Sequence, residues 1–139
     1  MTNDPIFQIH VEVDRSAVSL LQSPAGTVKM LPFTGTVEGR LFSGVVCPGG
    51  VDTQVTNCCQ VRHMSARYML EGKDCEGNPC HIYIENNGWF TNGERPSPFA
   101  TVPTFLTDSP VLAPYLMRSQ FRGEGRKENG HLVIYFFEI

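Results

Sequence analysis

The stretch CPGGVDTQ (residues 47–54) puts a thiol, a rigid proline, two flexible glycines, an acid and an amide into one short run. Three chemistries would use such a run: a phosphate cradle, a redox turn, or a bend that delivers Asp52 to a chosen place. A phosphate loop needs a glycine turn followed by a helix whose N-terminal amides face the anion, and its glycines follow GxGxxG or GxxxxGK[ST] spacing. PGGVD has neither spacing, and the residues after it read as a strand, which excludes nucleotide binding. A redox or nucleophilic Cys47 needs a nearby base and a lowered pKa, and the sequence offers neither. Cys47 therefore reads as a small apolar residue at a strand end, and no GxSxG elbow of a serine hydrolase occurs elsewhere. What remains is the bend, with Pro48 stiffening the approach and Gly49 and Gly50 allowing positive φ or close backbone contact before Asp52 and Gln54.

The other groups able to move protons alternate along two strand-like runs. In CQVRHMSARYMLEG (residues 59–72), a period of two places His63, Ser65, Arg67, Met69 and Glu71 on one face, and Met64, Ala66, Tyr68 and Leu70 on the other. In CHIYIEN (residues 80–86), His81, Tyr83 and Glu85 share a face while Ile82 and Ile84 take the opposite one. Two arrangements fit this pattern. The polar faces are the solvated side of a sheet, or they line the interior of a barrel whose apolar exterior packs against loops, the helix or another subunit. An Arg67 paired with Glu85 or Asp52 inside such a barrel would be a costly buried ion pair, better explained by a ligand than by stability. Trp89, Phe90 and the late YFF (residues 135–137) read first as core or interface packing.

The elements that must position these groups are short β-type runs separated by Gly, Pro, Asn and Asp clusters. IFQIHVEVD (residues 6–14) alternates Phe7, Ile9, Val11 and Val13 with Gln8, His10, Glu12 and Asp14. GNP turns the long strand back into CHIYIEN as a hairpin, FATVPTFLT (residues 99–107) is a further strand, and RKENG turns the chain into HLVIYFFEI. SPVLAPYLMRS suits a short helical turn broken by Pro114. The class is all-β, and about eight to ten strands with one short helix suggest a single domain over residues 1–139, a closed antiparallel β-barrel or a sandwich.

Composition narrows the partners. A net charge of −3 lacks the basic excess that favours nucleic acid or an anionic membrane, and no run approaches a membrane span. The first residues, MTNDPIFQIH, are not a basic-then-apolar leader, so a cytoplasmic location is expected. Five cysteines, Cys47, Cys58, Cys59, Cys75 and Cys80, are an odd number and read as reduced thiols. Cys75 and Cys80 stand too far apart for the near pair of a structural zinc site, and their only complement is the adjacent Cys58 and Cys59, so no metal is expected.

The motifs GRLFSGVVCPGGVDTQ, SARYMLEG, IYIENNG, FATVPTFLTDSP and QFRGEG, in unbroken order across residues 35–139, resemble the DUF3237 family, also called the UPF0311 proteins. The shared positions are Gly49, Gly50 and Asp52; Ala66, Arg67 and Tyr68; Tyr83, Asn86 and Gly88; Pro103 and Phe105; Gly123 and Gly125. The resemblance implies a closed antiparallel barrel similar to allene oxide cyclase and of calycin-like type. It also implies kinship with fungal natural-product cyclases that work without a cofactor, including ones that add a hydroxyl across an alkene intramolecularly. Departures from the family pattern are Thr53 in place of an aromatic, Ser65 in place of an acid, and Glu85 and Ala100 in place of basic residues. Their loss of charge suits either an apolar or aromatic ligand or drift in an unused surface.

On that resemblance the expected activity is a cofactor-independent cyclase or isomerase of secondary metabolism, and the alternative is a barrel that binds a small molecule without transforming it. The expected catalytic groups are Asp52 as acid or base with its pKa raised by burial, Arg67 as orienting or charge-stabilising group, Tyr83 as phenol donor and His63 as proton shuttle. Gln54, Ser65, Glu85, Tyr68, Phe105 and Trp89 are expected to contact the substrate. No nucleic acid or membrane partner is expected, and a homo-oligomer, dimer or higher, is.

Overall fold

Alternating apolar and polar side chains, interrupted every few residues by turn formers, leave this chain little regular structure to form except strands. The computed structural model describes residues 4–91, 95–118 and 120–139. Among them are strands β1 (Phe7–Val13), β2 (Ser19–Ser23), β3 (Gly26–Glu38), β4 (Phe42–Val46) and β5 (Val51–Asn57). They continue with β6 (Arg62–Asp74), β7 (Pro79–Phe90), β8 (Phe99–Thr107), β9 (Phe121–Glu128) and β10 (His131–Glu138). A 3-10 turn spans Arg15–Ala17 and one short helix, α1, spans Ala113–Leu116.

All pairings are antiparallel, and β1 closes the sheet by pairing with β10 on one side and β3 on the other. The result is an eight-position barrel, with two positions each filled by two strands in succession. β5 pairs with the first half of β6, from Thr56 opposite Arg62 to Val51 opposite Arg67. β4 takes over along the second half, from Val46 opposite Leu70 to Phe42 opposite Asp74. β1 and β2 divide β3 in the same manner. Closure leaves few free edges, which an open sheet of this size would expose.

The expected alternation of β1, the β6–β7 hairpin and the bounds of β8 are all present. Three local readings change. Pro114 lies in the first turn of α1 and starts the helix, because a missing N–H costs nothing there. Arg126, Lys127 and Glu128 belong to β9, and the turn narrows to Asn129 and Gly130, both at positive φ. SLLQS forms β2, whose Leu20 and Leu21 stand exposed; the run has no alternation to announce it.

The two halves of the barrel are packed differently. Around the start of β1 and the end of β10, the fully buried Phe7 lies 6.2 Å from Phe42, 5.9 Å from Phe105 and 5.4 Å from Phe136, ring centre to ring centre. Leu112 and Leu116, at α1, are buried at this end. The Ser109 hydroxyl ties the approach to α1 onto the β6–β7 turn, donating to Asp74 Oδ2 at 2.9 Å while accepting from the Leu112 N–H at 3.1 Å. Toward the other end, inward positions carry smaller or polar side chains, and the barrel is hollow. Phe7→Ala should lower the unfolding free energy by about 3–5 kcal/mol in urea titration; a loss under about 1 kcal/mol would mean that this aromatic cluster does not hold the closed end together.

Candidate functional site

The hollow half encloses a cavity of about 300 Å³. Its position follows from the β4–β5 break, where the chain turns at Cys47–Gly50. The Cys47 N–H donates to Met69 O at 2.8 Å on β6, and Gly50 O accepts from the Phe33 N–H at 3.0 Å on β3. Gly49 has φ +104°, and a Cβ on Gly50 would lie 3.1 Å from Tyr68 Cβ and 3.2 Å from both Phe33 O and Val46 Cγ1. A side chain would strain the backbone at Gly49 and at Gly50 would need its neighbours to give by a few tenths of an ångström. The bend leaves β5 with Asp52 and Gln54 facing inward and Thr53 and Val55 facing out.

Register then assembles the wall. Asp52 lies opposite Ala66 and Ala66 opposite Asn86, so the small Ala66 separates two polar side chains and leaves space between them. Gln54 Nε2 donates to Asp52 Oδ2 at 2.7 Å, and the Arg62 guanidinium donates to Gln54 Oε1. A guanidinium only donates, so the Gln54 carbonyl must face Arg62 and its amide N–H must face Asp52. Among the described residues, Asp52 Oδ1, Asn86 Oδ1 and Thr101 Oγ1 are sealed from solvent without a hydrogen-bond partner, and all three residues belong to the cavity wall. Each such group costs about 1–3 kcal/mol.

Burial raises the Asp52 carboxyl above its ordinary value, opposed by the Gln54 hydrogen bond and the charges of Arg95 and Arg62. Burial, and then the neighbouring Asp52, push the Tyr68 phenol far up, so it stays a donor. Tyr68 packs edge-on against Phe33 at 5.0 Å. Burial and the charge of Arg62 pull Arg95 down, while Asp52 supports its cation. Outside the cavity, burial and Glu71 push the Cys47 thiol up, away from a nucleophile.

Of the residues expected from sequence, the structure brings Asp52, Gln54 and Tyr68 together. His63, Ser65, Arg67, Tyr83, Glu85 and Trp89 lie on the opposite face of their strands, outside the cavity. Arg67 does meet Glu85, at 3.3 Å, but on the exterior, with the Arg67 side chain 63% exposed. His63 stacks on Trp89 at 4.6 Å and its Nε2 lies 3.1 Å from Asn87 Oδ1. Phe105 is buried in the aromatic cluster of the filled half, against Phe7, Phe121 and Phe136. The polar faces of β6 and β7 are therefore the outer side of the sheet, and a single parity accounts for every displaced residue of these two strands, while Phe105 faces inward but in the filled half. Arg62, Thr101 and Arg95 were not anticipated. Arg62 shares its parity with Met64, Ala66 and Tyr68, and a charge on an otherwise apolar face was the available signal. Cys58 and Cys59 sit before β6 and Cys75 after it, at opposite ends of a 13-residue strand.

A family model described as a protein of unknown function (DUF3237) matches residues 1–139. A UPF0311 protein of Clostridium acetobutylicum is 34% identical over 125 residues, which is 79% of this chain and 77% of that protein. A crystal structure of a protein with unknown function from Clostridium acetobutylicum superposes with a TM-score of 0.75 at 30% identity, covering 97% of this chain and 96% of that one. The crystal structure of an enzyme from Penicillium herquei superposes with a TM-score of 0.65 at 16% identity, covering 99% and 98%, a likeness of fold.

A raised carboxyl has a consequence for stability. Between the ordinary value of 3.8 and the folded-state pKa of Asp52, the folded chain keeps a proton that the unfolded chain has released. Stability therefore falls as pH rises through that window. Asp52→Asn should be more stable than the parent at pH 7 by urea unfolding, with the difference closing as pH falls to about 3.8. A variant less stable at pH 7 would show that the carboxylate is favoured by its surroundings.

Proposed function

We propose that this chain, which belongs to the DUF3237 family of proteins of unknown function, is a cofactor-independent enzyme that cyclises or isomerises a small, largely apolar or aromatic intermediate of secondary metabolism by acid/base catalysis. The observation that carries the reading is the coincidence in one 300 Å³ cavity wall of an acid held above its ordinary pKa and three sealed polar atoms without partners. Among the described residues, Ser65 Oγ and Tyr115 Oη are likewise sealed and unpartnered away from the cavity. The reading therefore rests on three such atoms gathered on one wall beside a raised acid, where a ligand could engage them. The likeness of fold to an enzyme from Penicillium herquei is consistent with it.

Intramolecular hydroalkoxylation illustrates what these residues would do. Because Asp52 Oδ2 accepts from Gln54, the proton of the neutral acid rests on Oδ1. A turn of the carboxyl about its Cβ–Cγ bond presents that proton to an alkene carbon of a molecule in the cavity. The alkene gains the proton, a phenol or alcohol oxygen of the same molecule attacks the carbocation, and its proton returns to the Asp52 carboxylate. One C–H and one C–O bond form, the C=C π bond and one O–H bond are lost, and the product is an isomer of the substrate. Tyr68 donates to the substrate oxygen, and Gln54, oriented by Arg62, donates again to the carboxylate once the proton has left. The charge-stabilising part expected of Arg67 passes to Arg62 and Arg95, which line the same cavity. Restricting the rotamers of the bound molecule supplies the remainder of the rate.

Two further parts of the proposal concern setting. The enzyme works in the cytoplasm, in keeping with its reduced-thiol composition. It works as a homo-oligomer, supported by Met69, Trp89, Val102 and Leu106, which are 42–59% exposed on the outer face of β6, β7 and β8.

The test is incubation of the protein in D2O with alkenyl phenols of one or two rings, read by mass spectrometry. The parent should yield a ring-closed isomer carrying one solvent deuterium on carbon, and Asp52→Asn should slow turnover by about 10²–10⁴-fold. Turnover within a few fold in a folded Asp52→Asn variant would remove Asp52 from the chemistry, and return of every ligand unchanged would make the barrel a carrier.

A further inference from the structure

Among the described residues, the cavity wall holds five basic side chains, Arg15, Lys29, Arg62, Arg95 and Lys127, against a single carboxylate, Asp52, in a chain whose net charge is −3. The excess is local and opposite in sign to the whole. Among the described residues, the ion pairs join Arg67 to Glu85, Arg118 to Glu138 and Arg126 to Glu124, with His10–Glu38 and His81–Asp108 besides, and none uses these five cations. Like charges gathered at one cavity are costly unless a counter-charge joins them.

Arg62 and Arg95 are both half-buried, and each lies close enough for its charge to act on the Asp52 carboxyl, as Arg62 also acts on Arg95. Arg95 lies over the Phe99 ring at 4.5 Å and points one nitrogen at Met64 Sδ at 3.8 Å. A ring face and a thioether hold a guanidinium in place while leaving most of its N–H donors unspent. Arg62 spends one contact on Gln54. Much of the remaining wall is apolar, with Val13, Leu31, Phe33, Met64, Phe99 and Leu132.

We infer that the substrate is an amphipathic organic anion, with an aromatic or alicyclic body in the apolar part of the lumen and a carboxylate-type group held between Arg62 and Arg95. The inference rests on the proposed cavity function and adds the charge of its ligand. An anion there satisfies donors that the apolar neighbours of Arg95 cannot, in the bidentate manner that suits guanidinium. Arg15, Lys29 and Lys127, which line the same cavity, add to the attraction for such an anion. The loss of family charges at Ser65, Glu85 and Ala100 does not oppose this. The first two lie on the outer face of the sheet, and Ala100 is exposed and does not line the cavity.

The experiment is isothermal titration with 2-naphthoate and its neutral isostere 2-naphthamide, on the parent and on Arg62→Gln, Arg95→Gln and Ala66→Phe. The inference expects naphthoate to bind at least about tenfold tighter than the amide, with the advantage narrowing as sodium chloride is raised. Either arginine variant should cut the advantage to under about threefold, with circular dichroism and urea unfolding reporting an intact fold. Ala66→Phe should abolish both. Equal binding of the two probes to the parent, lost in Ala66→Phe, overturns the anion and leaves the cavity reading standing. Failure of both to bind the parent at millimolar concentration overturns both readings.

Discussion

Parity on β6 is the constraint from which the rest of the molecule follows. Leu70 is fully buried and Tyr68 nearly so, both packed inside the barrel, while Arg67, Met69 and Glu71 stand outside. Sliding this strand by one residue would expose Leu70 and Tyr68, at about 1.5–3 kcal/mol for each side chain, and would bury Arg67 and Glu71 at greater cost. With Leu70 inside, Ala66, Met64 and Arg62 must be inside as well. Pairing carries the choice outward: Asn86 follows from Ala66, and Asp52 follows from Ala66 on the other side.

Side-chain size along the barrel axis then decides where chemistry has room. Phenylalanines crowd the half closed by α1, and that packing gives the barrel its rigidity. The opposite half keeps its space because Ala66, Thr101 and Val11 occupy inward positions where larger residues would fill it. The break between β4 and β5 belongs to the same design. Gly50 fits against Tyr68 and Phe33, so the turn that brings Asp52 inward is locked to the two strands that flank it. A raised acid is an unstable thing to hold, and the closed half supplies the stability that the open half gives up.

Much of this was legible in the residues. The alternation of β1, the β6–β7 hairpin and the closed all-β class came from period and turn chemistry, because those depend on local steric preferences. The bend at Cys47–Gly50 was legible as a device for placing Asp52. The inward direction of β6 was not, since alternation shows that two faces differ and is silent on which one meets the lumen. His63, Ser65, Arg67, Tyr83 and Glu85 formed the richer set of functional groups and lie outside for that reason. Leu70, Ile82 and Ile84 on the other faces outweighed them, because burying aliphatic side chains is worth more than sheltering charges. Arg95 was illegible for a different reason: it comes from the segment between β7 and β8, where no period applies.

The reading of the cavity depends on burial holding the Asp52 carboxyl above its ordinary pKa. The direct measurement is an NMR titration of the Asp52 carboxyl carbon in uniformly ¹³C-labelled protein, assigned by its loss in Asp52→Asn. The account predicts a midpoint above the ordinary value of 3.8. A midpoint at or below 3.8 would show that Arg62, Arg95 and Gln54 outweigh burial, and would leave the cavity without its acid.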